Sequence, residues 1–181
     1  MVSTWAMSSL RIPLRIPGYE LRAWTAQDAA AFQKYADNLE IWRNMRDEFP
    51  YPCNQLDAER WIAQALNRTD GLYLAIGNGQ EAVGAISLHI HDDIRRYSGV
   101  LSYGVGQPFW GQGIATAAIA SISDYALTEL NLVRIYAKVF STNRASVRVL
   151  EKNGFEQEGY FRKGVYKQGQ FLDQVLYAKV I

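Results

Sequence analysis

At 181 residues, the chain is long enough for one domain with a full core and too short for two domains of usual size. Its composition, 49% apolar and 20% charged, is that of an ordinary globular protein and excludes a disordered or fibrous chain. Nineteen basic and eighteen acidic residues leave a net charge of +1, so no whole-protein field attracts nucleic acid or an anionic membrane.

Cysteine usage and hydropathy lead to the first expectations about compartment. Cys53 is the only cysteine, so neither an internal disulfide nor a cysteine-rich zinc site can form, and we expect a reducing, cytoplasmic location. Arg11 and Arg15 interrupt the apolar residues near the N-terminus, and no run reaches the roughly 18 apolar residues of a membrane helix. We therefore expect no secretion signal and no membrane contact, with an N-terminal extension over residues 1–18 and one domain over residues 19–181.

The first third of the chain predicts one strand and two helices. Tyr19–Trp24 alternates apolar with polar side chains, which is the period of a half-buried strand. Thr25 and Asp28 offer N-cap oxygens ahead of a helix over Ala29–Asp37. The aromatic segment Asn38–Pro52 carries two prolines and is expected to form an irregular wall, and a second helix is predicted over Asp57–Leu66.

The middle of the chain predicts three antiparallel strands. Leu72–Ile76 and Ala82–Ile90 are separated by Gly77–Gln80, whose glycines and asparagine suit a tight hairpin turn. A charged loop over Asp92–Arg96 then leads to the third strand, Gly99–Val105.

The last third mixes helices with strands. Apolar residues recur every three or four positions over Gly113–Leu130, which predicts a long helix, and Asn143–Asn153 predicts another. Strands are predicted over Leu132–Phe140, Phe155–Arg162 and Phe171–Val180. This order predicts an α/β (α+β) fold in which a mixed, mostly antiparallel, twisted sheet carries helices on both faces.

A glycine-rich run joins the third middle strand to the long helix. Small residues at positions 111, 113 and 115 let the backbone approach a ligand closely, and the free N–H groups of the first helical turn can bind phosphate oxygens. The run lacks the lysine of a P-loop, and it does not follow the first strand of a βαβ unit as a dinucleotide-binding fingerprint would. The alternative interpretation is that the glycines only form a tight turn between strand and helix. The residues concerned are Trp110, Gly111, Gln112, Gly113, Ile114, Ala115 and Thr116.

A second segment, residues 141–155, follows the next strand and provides context for the glycine-rich run. Together the two segments resemble the GNAT superfamily of N-acetyltransferases, in particular the branch typified by the ribosomal-protein alanine N-acetyltransferases. Gly113 and Ala115 match the pyrophosphate loop of that family, and Gly169–Tyr177 resembles the last hairpin of the branch. The resemblance covers about Tyr19 to Tyr177 and implies acetyl-CoA as the co-substrate, with its pyrophosphate at residues 111–116.

Two residues of the second segment match functional positions of the family. Asn143 matches the asparagine that hydrogen-bonds the pantetheine arm or a cofactor-linked water, and a plain helix N-cap is the alternative. Many members carry a tyrosine as proton donor to the thiolate at the position where this chain has Leu150. The resemblance therefore makes Ser146 the candidate acid and a cofactor contact, with a helix serine bonded to the preceding turn as the alternative.

The reaction sets further requirements. A neutral amine attacks the thioester directly, so the site needs a proton acceptor and a donor for the carbonyl oxygen, and no metal. We place that donor at the backbone N–H of Val105, where Gly104 and Gly106 would permit a β-bulge. Val105 is thus a candidate for both carbonyl polarisation and cofactor contact.

The general base is not evident from the resemblance. The branch often has a glutamate at the position of Val100, so the expected carboxylate is missing. In a simple hairpin His89 lies opposite Val100 on the same face, which makes its imidazole the candidate replacement, and a partly exposed histidine without a role is the alternative. Asp173, Glu48 or water are the other candidates.

The resemblance implies that the acceptor is a primary amine at a protein or peptide N-terminus. Three aromatic residues of the irregular segment and one hairpin carboxylate are the candidate substrate contacts, with core packing as the alternative for the aromatics: Trp42, Phe49, Tyr51 and Asp173. A small amine such as an antibiotic, a polyamine or an amino acid remains an alternative, and so does a non-catalytic acyl-CoA-binding module. A homodimer is left open.

Overall fold

The computed structural model describes residues 9–181, which form a sheet of eight strands. The strands are β1 Arg11–Pro13, β2 Glu20–Ala23, β3 Gly71–Gly77, β4 Ala82–Ile90, β5 Ser98–Val105, β6 Arg134–Phe140, β7 Glu156–Lys167 and β8 Gln170–Val180. They lie in the order β1-β2-β3-β4-β5-β6-β8-β7, and β5 with β6 is the parallel pair in an otherwise antiparallel sheet.

Helices cover both faces of this sheet. They are α1 Ala29–Ala36, α2 Leu39–Trp42, α3 Gln55–Asn67, α4 Ile114–Thr128 and α5 Arg144–Lys152. Ile122 of α4 and Leu150 of α5 belong to one buried cluster, and Phe32 of α1 and Ile62 of α3 belong to another. Because each face buries its own apolar cluster, the layered arrangement follows the predicted fold class. Between residues 9 and 181, no helix is both long and apolar enough to cross a membrane.

Strands β5 and β6 diverge and leave a cleft in the middle of the sheet. They pair only over Ser98–Val100 and Arg134–Tyr136. Beyond these residues β5 stays with β4 and β6 stays with β8, so a gap separates residues 101–105 from residues 137–140. The cleft is closed at the pair Val100 and Tyr136 and opens toward the glycine-rich run.

Most of the predicted elements are confirmed. β3 and β4 form the expected hairpin, and β5 continues it with His89 opposite Val100. The sequence did not predict β1, because Arg11–Pro13 is too short to show an alternating pattern, yet Ile12 pairs with Leu21 of β2. Residues 1–8 of the predicted N-terminal extension lie outside the described residues.

Three predicted boundaries need correction. Helix α3 begins at Gln55 rather than at Asp57, because the side chain of Asn54 accepts a hydrogen bond from the Asp57 amide at 3.0 Å. Part of the segment expected to be irregular forms α2, since Asn38 caps two backbone amides of that short helix. Strand β7 runs on to Lys167, beyond its predicted end, with an irregularity in its pairing to β8.

Candidate active site

Two glycines adopt the left-handed conformation that the turn from β5 into α4 requires. Gly111 has φ 76° and Gly113 has φ 77°, and Gly113 is the N-cap residue of α4. A Cβ atom on Gly111 would meet nothing within 4 Å, and one on Gly113 would meet only Ile16, at 3.9 Å. The space over both residues is open, so a ligand can approach their backbone closely.

The glycine-rich run is tied back to the preceding strand and turn by its own side chains. The indole Nε1 of Trp110 donates to the carbonyl oxygen of Val105 at 2.6 Å, and Nε2 of Gln112 donates to that of Pro108 at 3.1 Å. No side chain of the described residues caps the N-terminus of α4. The amides of residues 114–116 therefore present the positive end of the helix dipole to the open space, which suits a pyrophosphate.

The predicted β-bulge at Val105 is wrong. The register between β4 and β5 is unbroken from Ile90 and Gly99 to Gly84 and Val105. The amide of Gly106 bonds the carbonyl oxygen of Val83 at 2.8 Å, and hydrogen-bonded pairs alternate with non-bonded pairs along an antiparallel ladder. The N–H of Val105 therefore points away from β4 and into the cleft without any bulge.

Helix α5 forms the other wall of the cleft. Oδ1 of Asn143 accepts a hydrogen bond from the Ser146 amide at 3.1 Å, so Asn143 is the N-cap of α5 while its Nδ2 group is left for other partners. The Ser146 hydroxyl makes no hydrogen bond to any described residue, so the expected alternative, a bond to the preceding turn, is absent from this part of the chain. Leu150 is fully buried in the core.

Tyr103 is a residue of the cleft that sequence reasoning missed. It projects from β5 across to α5, where its hydroxyl donates to the carbonyl oxygen of Ser146 at 3.1 Å. Burial raises the pKa of Tyr103 to about 12, so the phenol stays protonated at neutral pH. The sequence holds eleven tyrosines, and only the divergence of β5 and β6 places this one beside Ser146.

An apolar pocket lies beside the cleft, between the sheet and helices α1 and α3. On the sheet side it contacts the neighbouring pairs Ala85 with Gly104 and Ser87 with Ser102. Among the residues that the structure describes, no Asp, Glu, Lys or Arg lines it. The large side chains that surround it are Trp24, Phe32, Tyr35, Met45, Phe49, Trp61 and Tyr73.

The three aromatic candidates for acceptor contact separate in the structure. Phe49 lines the pocket, whereas Trp42 and Tyr51 stack on each other outside its lining, with ring centroids 5.5 Å apart. Nζ of Lys167, which is buried at the tip of β7, lies 3.6 Å from the centroid of Trp42 and 2.7 Å from a carboxylate oxygen of Asp47. The stack therefore ties the segment between α1 and α3 to the last hairpin.

The hairpin carboxylate Asp173 has partners of its own. It accepts hydrogen bonds from the Tyr160 hydroxyl at 2.5 Å and from the Lys163 amide at 2.7 Å. Its backbone carbonyl accepts from the Ser141 amide at 2.9 Å, which links β8 to the end of β6 next to α5. Asp173 therefore lies at the mouth of the cleft and outside the apolar pocket.

Comparison with known proteins agrees with this geometry. Residues 19–156 match the acetyltransferase (GNAT) domain. The chain belongs to the GNAT acetyltransferase family. This acetyltransferase is 34% identical over 163 residues to the N-acetyltransferase YoaA of Bacillus subtilis. The aligned region covers 88% of this chain and 92% of that protein.

One further relative acts on a ribosomal protein, and one structural neighbour was solved with a coenzyme A derivative. The acetyltransferase is 27% identical over 150 residues to the ribosomal protein uS5-alanine N-acetyltransferase of Escherichia coli, with 80% of this chain and 77% of that protein covered. Mycobacterium smegmatis RimJ, solved in complex with CoA-disulfide, has a TM-score of 0.87 and 25% identity, with 99% of this chain and 90% of that chain covered. The acetyltransferase is an acetyl-CoA-dependent acyltransferase.

The candidate bases lie in different settings in this acetyltransferase. His89 stands opposite Val100, as predicted, and its side chain is 39% exposed at the closed end of the cleft. Glu48 forms an ion pair with Arg46, and both side chains are exposed. Of the candidate bases, His89 therefore lies at the closed end of the cleft and Asp173 at its mouth, whereas the Glu48 carboxylate is engaged in an exposed ion pair.

Proposed function

We propose that the chain transfers the acetyl group of acetyl-CoA to the α-amine of a protein or peptide N-terminus. The observation that carries the proposal is the uncharged lining of the pocket beside the cleft, where Ser87, Ser102 and Gly104 meet aromatic side chains. A polyamine or a polycationic antibiotic would leave charges unpaired in such a pocket, which is costly. A peptide N-terminus brings one amine and an apolar side chain.

The proposed roles on the cofactor side follow from the open backbone groups. The amides of Gly111, Gln112, Gly113, Ile114, Ala115 and Thr116 would hold the pyrophosphate, and Asn143 would reach the pantetheine arm through Nδ2. The N–H of Val105 would donate to the thioester carbonyl oxygen, where negative charge develops during attack. The Ser146 hydroxyl, which has no partner among the described residues, would protonate the departing thiolate.

The residues with proposed roles on the acceptor side come from segments that are far apart in the chain. Phe49 would contact the acceptor directly, since it lines the pocket. Trp42 and Tyr51 would support the same wall through their stack, and Asp173 would stand at the mouth of the cleft. His89 would take a proton from the acceptor amine.

An acceptor panel tests the proposal. The full chain is given acetyl-CoA and peptides with a free N-terminal alanine, serine or methionine, each also in an N-terminally blocked form that keeps an internal lysine. Spermidine, an aminoglycoside and amino acid amides complete the panel, with thiol release and mass spectrometry as readouts. We expect acetylation of the free α-amine and none of the blocked peptides. Turnover of small amines alone would overturn the proposed acceptor, and CoA binding without any turnover would indicate a non-catalytic module.

A further inference from the structure

A chain of polar side chains crosses the sheet at the closed end of the cleft. His89 is in register with Val100 of β5, and Val100 is in register with Tyr136 of β6, at the last pair before the strands diverge. We call this group the histidine cluster. Its members are Arg68, Asp70, Tyr73, His89, His91 and Tyr136.

The imidazole Nδ1 of His89 faces two oxygen atoms. It lies 3.1 Å from Oδ2 of Asp70 and 3.3 Å from the hydroxyl oxygen of Tyr73. Arg68 holds Asp70 from the other side through two hydrogen bonds, of 3.0 and 2.7 Å. Hydrogen bonding to Arg68 is the main reason that the pKa of Asp70 lies far below its usual range, so this group is a carboxylate at neutral pH.

The carboxylate determines which nitrogen of the neutral ring carries the proton. A carboxylate oxygen can only accept hydrogen bonds, so a bare Nδ1 would place its lone pair against that oxygen. Burial, followed by hydrogen bonding to Asp70, raises the pKa of Tyr73, so its hydroxyl keeps its proton and can donate it to Asp70 while accepting from Nδ1. The Tyr73 hydroxyl can serve either tautomer, so Asp70 is the neighbour that favours the proton on Nδ1 and leaves Nε2 of His89 as a base.

His89 lies near the pocket but five residues of strand, roughly 16 Å, from the level of Val105, so a proton from the acceptor amine would reach it through intervening water. Ser87, two residues earlier on the same face of β4, lines the pocket together with Ser102 of β5. His91, the next residue on that face, bonds the Tyr136 hydroxyl at 3.0 Å, and burial and then the charge of His89 lower its pKa, so it adds no positive charge at neutral pH. The partial exposure of His89 gives solvent access for the proton it removes.

We propose that Asp70 is a positioning residue, which fixes His89 as the Nδ1–H tautomer so that Nε2 takes a proton from the acceptor. The proposal rests on the amine acetylation proposed above. Nε2 receives one proton from the ammonium group through intervening water and passes it to bulk solvent. The free amine then forms the C–N bond as the C–S bond breaks, and the second nitrogen proton ends on the thiolate. The products are the amide and the free thiol of CoA.

The tautomer can be measured without any acceptor. The chain has only two histidines, so ¹⁵N correlation spectra of the imidazoles, with His91→Asn to assign them, resolve His89 in the folded protein. We expect the Nδ1–H tautomer in the wild type. In Asp70→Asn the asparagine amide can donate to a bare Nδ1 as well as accept from Nδ1–H, so the population should shift toward the Nε2–H tautomer. Arg68→Gln is the matched control, because it removes the same ion pair and keeps the carboxylate. A wild-type His89 in the Nε2–H form would overturn the proposal.

A kinetic cycle tests whether Asp70 acts through His89. With the best peptide from the acceptor panel, Asp70→Asn should lower kcat about tenfold and leave the KM for acetyl-CoA unchanged, since general base catalysis is worth about 10²–10⁴-fold in total. In a His89→Gln background the same change should have no further effect on kcat. An equal loss in both backgrounds, or wild-type kcat in His89→Gln, would overturn the positioning role while acetyl transfer stands. A wild type that binds CoA and acetylates no amine would instead overturn the proposed function.

Discussion

The two sides of the cleft are built in different ways. On the cofactor side, Val105 and the glycine-rich run are followed closely by α4, so a short continuous stretch of chain supplies the backbone donors, and α5 adds Asn143 and Ser146. The acceptor side draws on α1, α3 and three strands, and its pocket contacts residues from Trp24 to Gly106. Hydrogen bonds within one turn shape the first side, whereas packing between distant segments shapes the second.

Substitutions on the two sides should therefore change different measurable quantities. A substitution on the cofactor side alters local backbone geometry, so its effect should appear in CoA affinity or turnover and not in acceptor KM. A substitution on the acceptor side alters packing between segments, so its effect should appear in the free energy of unfolding and in acceptor KM.

The largest effect is expected from Gly113→Val. A side chain at φ 77° strains the turn and occupies the space over the backbone, so the amides that face the pyrophosphate should be displaced. Loss of two hydrogen bonds to a charged group, at about 1.5–3 kcal/mol each, corresponds to a loss of CoA affinity on the order of 10²–10⁴-fold. Isothermal titration calorimetry with CoA measures this loss of affinity.

Gly79→Val is the matched control for that substitution. Gly79 has φ 84° and lies in the β3–β4 turn, and a Cβ atom there, as at Gly113, would come no closer than 3.9 Å to a neighbouring atom. Both variants should lose about 1–2 kcal/mol of stability from the left-handed conformation, and only Gly113→Val should lose CoA affinity. Equal CoA binding by the two folded variants would reduce the glycine-rich run to a structural turn.

The second prediction concerns the ion pair that joins β2 to the start of α1. Asp28 accepts hydrogen bonds from Arg22 at 2.8 and 2.7 Å and from the Thr25 amide at 2.8 Å, and it is 6% exposed. Removing one partner of a buried pair costs about 3–5 kcal/mol. We expect Asp28→Asn to lower the free energy of unfolding, measured in urea, by about 3 kcal/mol, at the low end of this range because Arg22 keeps its bond to the Ala23 carbonyl. CoA affinity should be unchanged.

The same pair predicts a pH dependence. Burial raises the pKa of Asp28, but hydrogen bonds from Arg22 and Thr25 outweigh burial and hold that pKa below its ordinary value. The stabilisation is therefore fully present above the unfolded pKa of about 3.9 and is lost as the pH falls through the folded-state value. The wild type and Asp28→Asn should converge in stability at low pH. Asp124→Asn, in the exposed pair with Arg15, is the control and should cost at most about 1 kcal/mol.

The third prediction tests Ser146 as the proton donor to the thiolate. Ser146→Ala should lower kcat by about 10²-fold, near the lower end for general acid catalysis, because water can replace part of the hydroxyl's role. CoA affinity should hardly change, since the donor acts mainly in the transition state. Ser121→Ala on α4, whose hydroxyl bonds the Pro13 carbonyl at 3.2 Å outside the cleft, should keep full kcat. A loss of CoA affinity alone in Ser146→Ala would assign the hydroxyl to binding.

The smallest effect is expected from Lys167→Met. Methionine keeps the packing over Trp42 and loses the cation, while Asp47 is 71% exposed and stays solvated. We expect a loss of about 1–2 kcal/mol in urea unfolding, a rise in acceptor KM and an unchanged CoA affinity. Lys34→Met is the control, because Lys34 lies over Tyr35 with 59% of its side chain exposed and should contribute less. A change in CoA affinity with Lys167→Met would break the separation of the two sides.

The amino-acid sequence was enough to predict the fold class, most strands and helices, and the glycine turn between β5 and α4. These features rest on local signals: alternation along a strand, the helical period, and glycines at 111 and 113 that must adopt positive φ. It also predicted His89 opposite Val100, because register in a hairpin follows from its turn. Short elements such as β1 and α2 were not predicted, because three or four residues are too few to show a periodic pattern of apolar side chains.

The rest of the site depends on contacts between segments that are far apart in the chain. Long-range pairing of β6 with β8 and of β5 with β4 opens the cleft, places Tyr103 beside Ser146 and turns the Val105 amide toward the gap without a bulge. Packing of segments far apart in the chain also separated Phe49 from the Trp42 stack and brought Asp70 to His89. Such contacts depend on the distance between side chains in space, and no local pattern of residues encodes that distance.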